Sequence, residues 1–159
     1  MGSFASGKTA LVQRFVHNSF SEAYVTTTQV SIAKKMLLLE DPGLLVHFGV
    51  NLAVWDMGDL ALEQEGSSAF FSGANAVIWL VDLSRPVSWL GLGHEMAQFA
   101  QKMPAVPVLL AGSKLDLVQK EEVAEQLAQA NLIPEAWVSA RTGQGVDLLF
   151  KDTARLVLQ

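Results

Sequence analysis

Gly2-Ser3-Phe4-Ala5-Ser6-Gly7-Lys8-Thr9 places a lysine and a hydroxyl directly after a glycine-bounded loop. The order is G-x-x-x-x-G-K-[ST], the pattern of a loop that cradles phosphate. Such a backbone can turn its N–H groups inward as an anion nest, and a helix starting there adds its positive N-terminal end. In this pattern Lys8 reaches the β- and γ-phosphates of a nucleotide, and the Thr9 hydroxyl binds Mg2+. Gly2, Ser3, Ala5, Ser6, Gly7, Lys8 and Thr9 are therefore candidate phosphate and metal contacts.

Positioning these residues requires elements on either side. Lys8 to His17 has helical apolar spacing at Leu11, Val12, Phe15 and Val16. A polar loop follows to Thr28. Val30–Leu39 and Leu44–Trp55 read as strands around an Asp41-Pro42-Gly43 turn, and so as a hairpin. Ala74–Leu83 is a continuous apolar run, as in a strand buried on both faces. Ser88–Lys102 reads as a helix, Val106–Ala111 as a strand, Glu121–Ala130 as a helix, Ala136–Ser139 as a short strand and Val146–Leu158 as a closing helix. After the hairpin, strands alternate with helices. The fold class is α/β, a three-layer phosphate-loop architecture with a mainly parallel sheet and helices on both faces. Ligands bind such sheets beyond the carboxyl ends of the strands. Polar motifs do follow the strands here. The phosphate loop alone leaves ATPases, small-molecule kinases and GTPases open.

Ser113-Lys114-Leu115-Asp116 follows one buried strand and Ser139-Ala140-Arg141 another. In this order they resemble the Asn-Lys-x-Asp and Ser-Ala-Lys motifs of the Ras-like small GTPases. The resemblance implies that Asp116 accepts hydrogen bonds from guanine N1 and N2, and that the Lys114 stem packs along the base. It also implies a backbone N–H of the Ser139–Arg141 motif on O6. A carboxylate suits guanine, which offers donors where adenine presents an acceptor. Ser113 departs from the family asparagine, which braces the phosphate loop. Phe70-Phe71-Ser72-Gly73-Ala74 is similar to the Tyr-Tyr-Arg-Gly-Ala of the Rab branch. Phe20 stands where that family sets an aromatic ring on guanine, a core aromatic being the alternative. Tyr24 and Thr27 fall at family spacing in the first switch loop. The resemblance makes Thr27 and Asp56, with Thr9, the expected Mg2+ site.

Trp55-Asp56-Met57-Gly58-Asp59-Leu60 occupies the place of the family's Trp-Asp-Thr-Ala-Gly-Gln. The ungapped spacing to Phe70-Phe71 supports that register. Asp59 then replaces the glycine whose N–H senses the γ-phosphate, and Leu60 the glutamine that orients attacking water. Phe4 adds bulk where an arginine finger enters. Leucine cannot position water, so the resemblance implies GTP/GDP binding with slow or partner-dependent hydrolysis. Gln64 is a candidate substitute, and Lys8 is the other candidate catalytic residue. A non-hydrolysing pseudo-GTPase scaffold, or a GTPase-like module of a larger protein, is the alternative. A kinase or ATPase would prefer ATP, against Asp116.

The 159 residues suit one domain, residues 1–159. The chain is 50% hydrophobic with only 17% charged residues and a net charge of −5, which indicates a packed core and no basic nucleic-acid footprint. Cysteine is absent, which excludes disulfides, thiolate metal sites, cysteine nucleophiles and lipid anchors on cysteine. A cytoplasmic monomer without a direct membrane anchor is expected, meeting effectors or regulators through switch segments 20–30 and 57–72. Met1-Gly2 with Ser6 also fits a myristoylation pattern, although the same glycine serves the phosphate motif. His17, His47 and His94 are scattered, unlike metal ligands. In Ras-like proteins a buried strand precedes the phosphate loop, whereas the loop here starts at Gly2. A missing first strand and marginal stability are therefore expected. The Thr27–Asp56 spacing is longer than in Ras, with room for a hairpin expansion around Glu40–Val50.

Overall fold

Runs of apolar residues ending in a polar one build the centre of the fold. The computed structural model describes residues 1–23, 30–41, 46–57, 71 and 73–158. Helix α1 spans Lys8–His17. Strands β1 (Ser31–Asp41) and β2 (Val46–Asp56) pair antiparallel from Ser31↔Asp56 to Asp41↔Val46. Strands β3 (Val77–Asp82), β4 (Val108–Ser113) and β5 (Ala136–Trp137) form a parallel sheet in that order. Helices α2 (Leu92–Lys102), α3 (Lys120–Gln129) and α4 (Val146–Leu158) follow among the described residues.

The strand period sorts the core. Val77, Trp79 and Val81 of β3 pack with Trp89, Leu92, Phe99, Val123 and Leu127. Leu80 and Ile78 pack instead with Leu11, Phe15, Val146, Leu149 and Phe150 of α1 and α4. Successive side chains point to opposite faces of a strand, so the all-apolar β3 sequence reflects apolar surroundings on both faces. The hairpin follows the other rule. Leu37 and Leu39 are buried while Lys34, Met36, Leu38 and Glu40 are exposed, as in a strand with one wet face. Lys35 ties it to the helices: its ammonium donates to the Phe15 carbonyl, sits 4.2 Å from the Phe15 ring centre and lies 3.6 Å from Asp147.

Boundaries shift for local reasons. The expected helix from Ser88 begins as a 3-10 turn, Pro86–Trp89, and α2 starts only at Leu92. Gly91 between them has φ +78°, a left-handed geometry that interrupts a helix. Strand β4 starts after Pro107, whose N–H is missing, and runs on to Ser113. The last parallel strand ends at Trp137, because the Val138 carbonyl turns to accept from Leu115 N. Helix α4 keeps its expected limits. The Asp41-Pro42-Gly43 turn falls largely outside the described residues.

Among the described residues the sheet is in two pieces, a two-stranded and a three-stranded one. At the edge of β3 the chain start makes a short parallel ladder. The Met1 amino group donates to Ile78 O (2.6 Å), Leu80 N donates to Met1 O (2.9 Å), and Gly2 bridges Leu80. A Cβ on Gly2 would lie 2.4 Å from the Leu80 carbonyl oxygen, so only glycine permits this approach. Beyond that ladder a cavity of about 550 Å3 separates β2 from β3. Leu52, Val54, Ile78, Phe150 and Val157 line it, with Lys8 and Asp56 also on its wall.

The Phe15 ring, 1% exposed, stacks on Phe150 with centres 3.7 Å apart and joins α1 to α4. Phe15→Ala is expected to cost about 3–5 kcal/mol of stability, the range for emptying a buried aromatic site. Urea denaturation measures it, and a loss below about 1 kcal/mol would show that this stack is not a central joint.

Candidate functional site

The phosphate loop leaves the ladder at Gly2 and enters α1 at Lys8. Gly2, Ala5 and Gly7 have φ of +134°, +57° and +95°. Left-handed residues among right-handed ones turn successive N–H groups toward one side, the geometry of an anion nest. Lys8 Nζ donates to the carbonyls of Gly2 (3.0 Å) and Ser3 (3.1 Å), which folds the lysine back over the loop. Ser6 N closes a turn onto Ser3 O at 3.1 Å. The hydroxyls of Ser3 and Ser6 and the Oδ1 of Asp56 are buried without a hydrogen-bond partner among the described residues. Buried polar atoms are ordinarily satisfied, so these fit a site completed by a polar ligand. Asp56 Oδ1 is a hard oxygen donor of the kind Mg2+ takes, usually with one or two protein carboxylates, phosphate oxygens and waters.

The segment expected to read the base sits directly on this loop. Ser113, the last residue of β4, donates its hydroxyl to Ser6 O at 2.7 Å, with Val81 O at 3.1 Å. A serine thus reaches the loop that the longer asparagine was expected to brace. Lys114 has φ +61°, and its Nζ donates to Asp82 Oδ2 at 2.7 Å. Asp116 Oδ1 accepts from Ser139 Oγ at 2.5 Å. The Ser139 N–H is spent on Gln144 O (3.0 Å), and the Ser139 hydroxyl accepts from Thr142 N (3.1 Å). The Ser139–Arg141 loop is therefore a closed turn whose serine orients Asp116.

Arg14, which the motif reading left aside, anchors that turn. It donates to the carbonyls of Ala140 and Arg141, both at 2.6 Å, and to Asn18. Arg141 pairs with Glu22 at 3.0 Å, tying the segment that carries Phe20 to the same loop. Phe20 is 37% exposed and Phe4 56% exposed. Thr9 lies in the first turn of α1. Tyr24, Thr27, Gly58, Asp59, Leu60, Gln64, Phe70 and Ser72 lie outside the described residues. The cavity between β2 and β3 shares Lys8 and Asp56 with the site, but Ser113, Lys114, Asp116 and Ser139 do not line it.

These features define a phosphate-loop nucleotide-binding fold with a second recognition segment held against the loop. A profile of the Ras family matches residues 1–159, and the chain belongs to that family. Human Ras-related protein Rab-7b is 30% identical over 165 aligned residues, covering 99% of this chain and 80% of its own. Mouse Rab-like protein 2A is 26% identical, covering 99% and 69%. Ras-related protein Rab-24 of Dictyostelium discoideum is 27% identical, covering 97% and 76%. Members of the family are generally GTPases that bind guanine nucleotide and Mg2+, and they act through effectors and regulators. Among the described residues no helix is long and apolar enough to cross a membrane.

Asp82 is a fully buried charge beside the site. Burial alone pushes its carboxyl up, but hydrogen bonds from Lys114, Ser84 and Arg85, with the Lys114 charge, together hold it below its ordinary value of 3.8. A carboxylate lowered in the folded state contributes stability that is present above its unfolded value and lost as pH falls through the folded one. Asp82→Asn is therefore expected to lower stability at neutral pH and to flatten the decline below about pH 4. Urea melts between neutral and acidic pH would show this, and parallel curves for the two proteins would contradict it.

Proposed function

We propose that this chain is a guanine-nucleotide-binding switch whose GTP hydrolysis is slow or partner-dependent. The observation that carries the reading is the Ser113 hydroxyl on the Ser6 carbonyl. It sets the Ser113–Asp116 segment against the phosphate loop. In this reading Gly2, Ser3, Ala5, Ser6, Gly7, Lys8 and Thr9 hold the phosphates. Phe20, Ser113, Lys114, Asp116, Ser139, Ala140 and Arg141 surround the base. Thr9, Thr27 and Asp56 serve the Mg2+ ion, which would neutralise phosphate charge when bound. Switch segments 20–30 and 57–72 change order with the γ-phosphate and are read by effector or regulator proteins. The protein works in the cytoplasm as a monomer.

Asp59 and Leu60 support the slow-hydrolysis part. The first brings like charge toward the γ-phosphate, and the second has no group to orient water. The same two residues favour a second reading, a non-hydrolysing scaffold that keeps the fold and has lost turnover. Nucleotide titration with Mg2+ separates these readings from each other and from an ATP-directed enzyme. GDP and GTP should bind and ATP much more weakly, with Asp116→Ala weakening GDP by about 10- to 100-fold, the value of hydrogen bonds to a charged group. Absence of guanine-nucleotide binding would leave the scaffold, and tighter ATP binding would overturn both.

Hydrolysis is checked by single-turnover phosphate release from the GTP-loaded protein. Slow release that falls further in Gln64→Ala supports Gln64 as the substitute for the missing glutamine. Fast release insensitive to Gln64 would defeat both the slow-hydrolysis reading and that role.

A further inference from the structure

The contacts of the two recognition segments converge on a residue that neither contains. Asp82 ends β3 with its side chain fully buried. Its Oδ2 accepts from Lys114 Nζ and from Arg85 Nε, each at 2.7 Å. Its Oδ1 accepts from the Ser84 hydroxyl at 2.6 Å and the Ser84 N–H at 3.0 Å, and its carbonyl accepts from Trp89 Nε1 at 2.8 Å. Arg85 then continues across the site, with Nη2 donating to the Phe4 carbonyl of the phosphate loop at 2.5 Å. One carboxylate oxygen thus holds a lysine of the base-reading segment and an arginine that grips the phosphate loop.

We propose that Asp82 is a positioning residue that couples the base side and the phosphate side of the nucleotide site. The proposal rests on the guanine-nucleotide reading for its consequence, though not for its geometry. Lysine and arginine side chains have many rotamers, and ordering them on binding opposes affinity. Asp82 orders both beforehand. It fixes the Lys114 stem in the position from which it can lie along a base. Through Arg85 it sets the Phe4 carbonyl, and with it the turn that carries Ala5 and Ser6. The two Ser84 contacts keep the carboxylate itself from rotating, and the Trp89 contact fixes the Asp82 backbone, so a change on one cation is felt by the other.

Asp82→Asn keeps shape while removing the charge that holds both cations. GDP affinity is expected to fall about tenfold in this variant, as for loss of a charged hydrogen bond, with a cooperative thermal transition retained. The test of coupling is non-additivity. Adding Lys114→Ala to Asp82→Asn should cost less than the two single losses multiplied, as for residues in one network. Unchanged GDP affinity in Asp82→Asn, or losses that simply multiply, would overturn the proposal. Arg85→Ala leaves the Asp82–Lys114 pair in place and guards against a folding defect in Asp82→Asn. It should weaken GDP and inorganic pyrophosphate binding and, through the shared carboxylate oxygen, guanosine binding to a smaller degree, and guanosine binding left unchanged would overturn the proposal. A nucleotide-free measurement separates this inference from the functional reading. In 15N spectra of the nucleotide-free protein, Lys114→Ala should move the Arg85 Nε–H signal and the backbone amides of Phe4 and Ala5. Those signals staying in place would end the proposal even if GDP binds. Their movement would sustain the coupling even if the intact protein bound no guanine nucleotide, a result that would count against the functional reading alone.

Discussion

Two residues of parallel pairing hold the phosphate loop to the sheet, and the rest of the site is built outward from them. Met1 and Gly2 hydrogen-bond along the outer edge of β3, and the Gly2 backbone touches the Leu80 carbonyl. No residue with a Cβ could make that approach. From there the chain has only a short loop in which to turn into α1. Lys8 folds over that loop onto the Gly2 and Ser3 carbonyls. The end of β4 locks it from the other side through Ser113. Since β3 and β4 are parallel and in register from Val77↔Val108 to Asp82↔Ser113, their polar ends meet at one place. A carboxylate, a hydroxyl and the phosphate loop are therefore neighbours because of strand pairing.

Helix α1 serves both faces of this arrangement. Its buried side carries Leu11 and Phe15 into the cluster with α4, and its last turn carries Arg14 to the Ser139–Arg141 loop. Packing thus fixes the phosphate loop and the Ser139–Arg141 loop relative to each other through one rigid element. The hairpin is attached more loosely in bonding terms. It has its own two-stranded sheet, and it is joined to the body by Leu37, Leu52, Val54 and Lys35 against the helices. The cavity beside it lies between β2 and β3. Asp56 stands on its wall, so the candidate metal ligand belongs to the hairpin and the candidate phosphate ligands to the body.

Much of the fold was legible because its signals are local. The apolar run before Asp82, the helical spacing after Gly7 and the amphipathic Val146–Leu158 segment each report a period that the backbone itself imposes. Boundaries moved where a single residue overrode the period, as at Gly91 and Pro107. The candidate site was legible wherever a motif is contiguous, since a nest, a lysine and a hydroxyl must follow one another along the chain. Asp82, Arg85 and Arg14 escaped that reading because their partners lie on distant segments. The one available hint was an aspartate closing a run of buried residues, a position that demands a cation.

The sequence by itself determined the phosphate loop, the helix that follows it, the alternation of strands and helices, and the altered residues at Asp59 and Leu60. These are properties of neighbouring residues, set by backbone geometry and side-chain chemistry. The tertiary structure alone decided that Ser113 reaches Ser6, that Lys114 and Arg85 share one buried carboxylate, and that Ser139 orients Asp116. It also decided that the sheet stands in two pieces joined to helices and to the Met1–Gly2 ladder. Strand register and helix packing bring such groups within hydrogen-bonding distance. A buried charge then takes whatever partner the packing delivers, because leaving it unmatched costs more than ordering two long side chains around it.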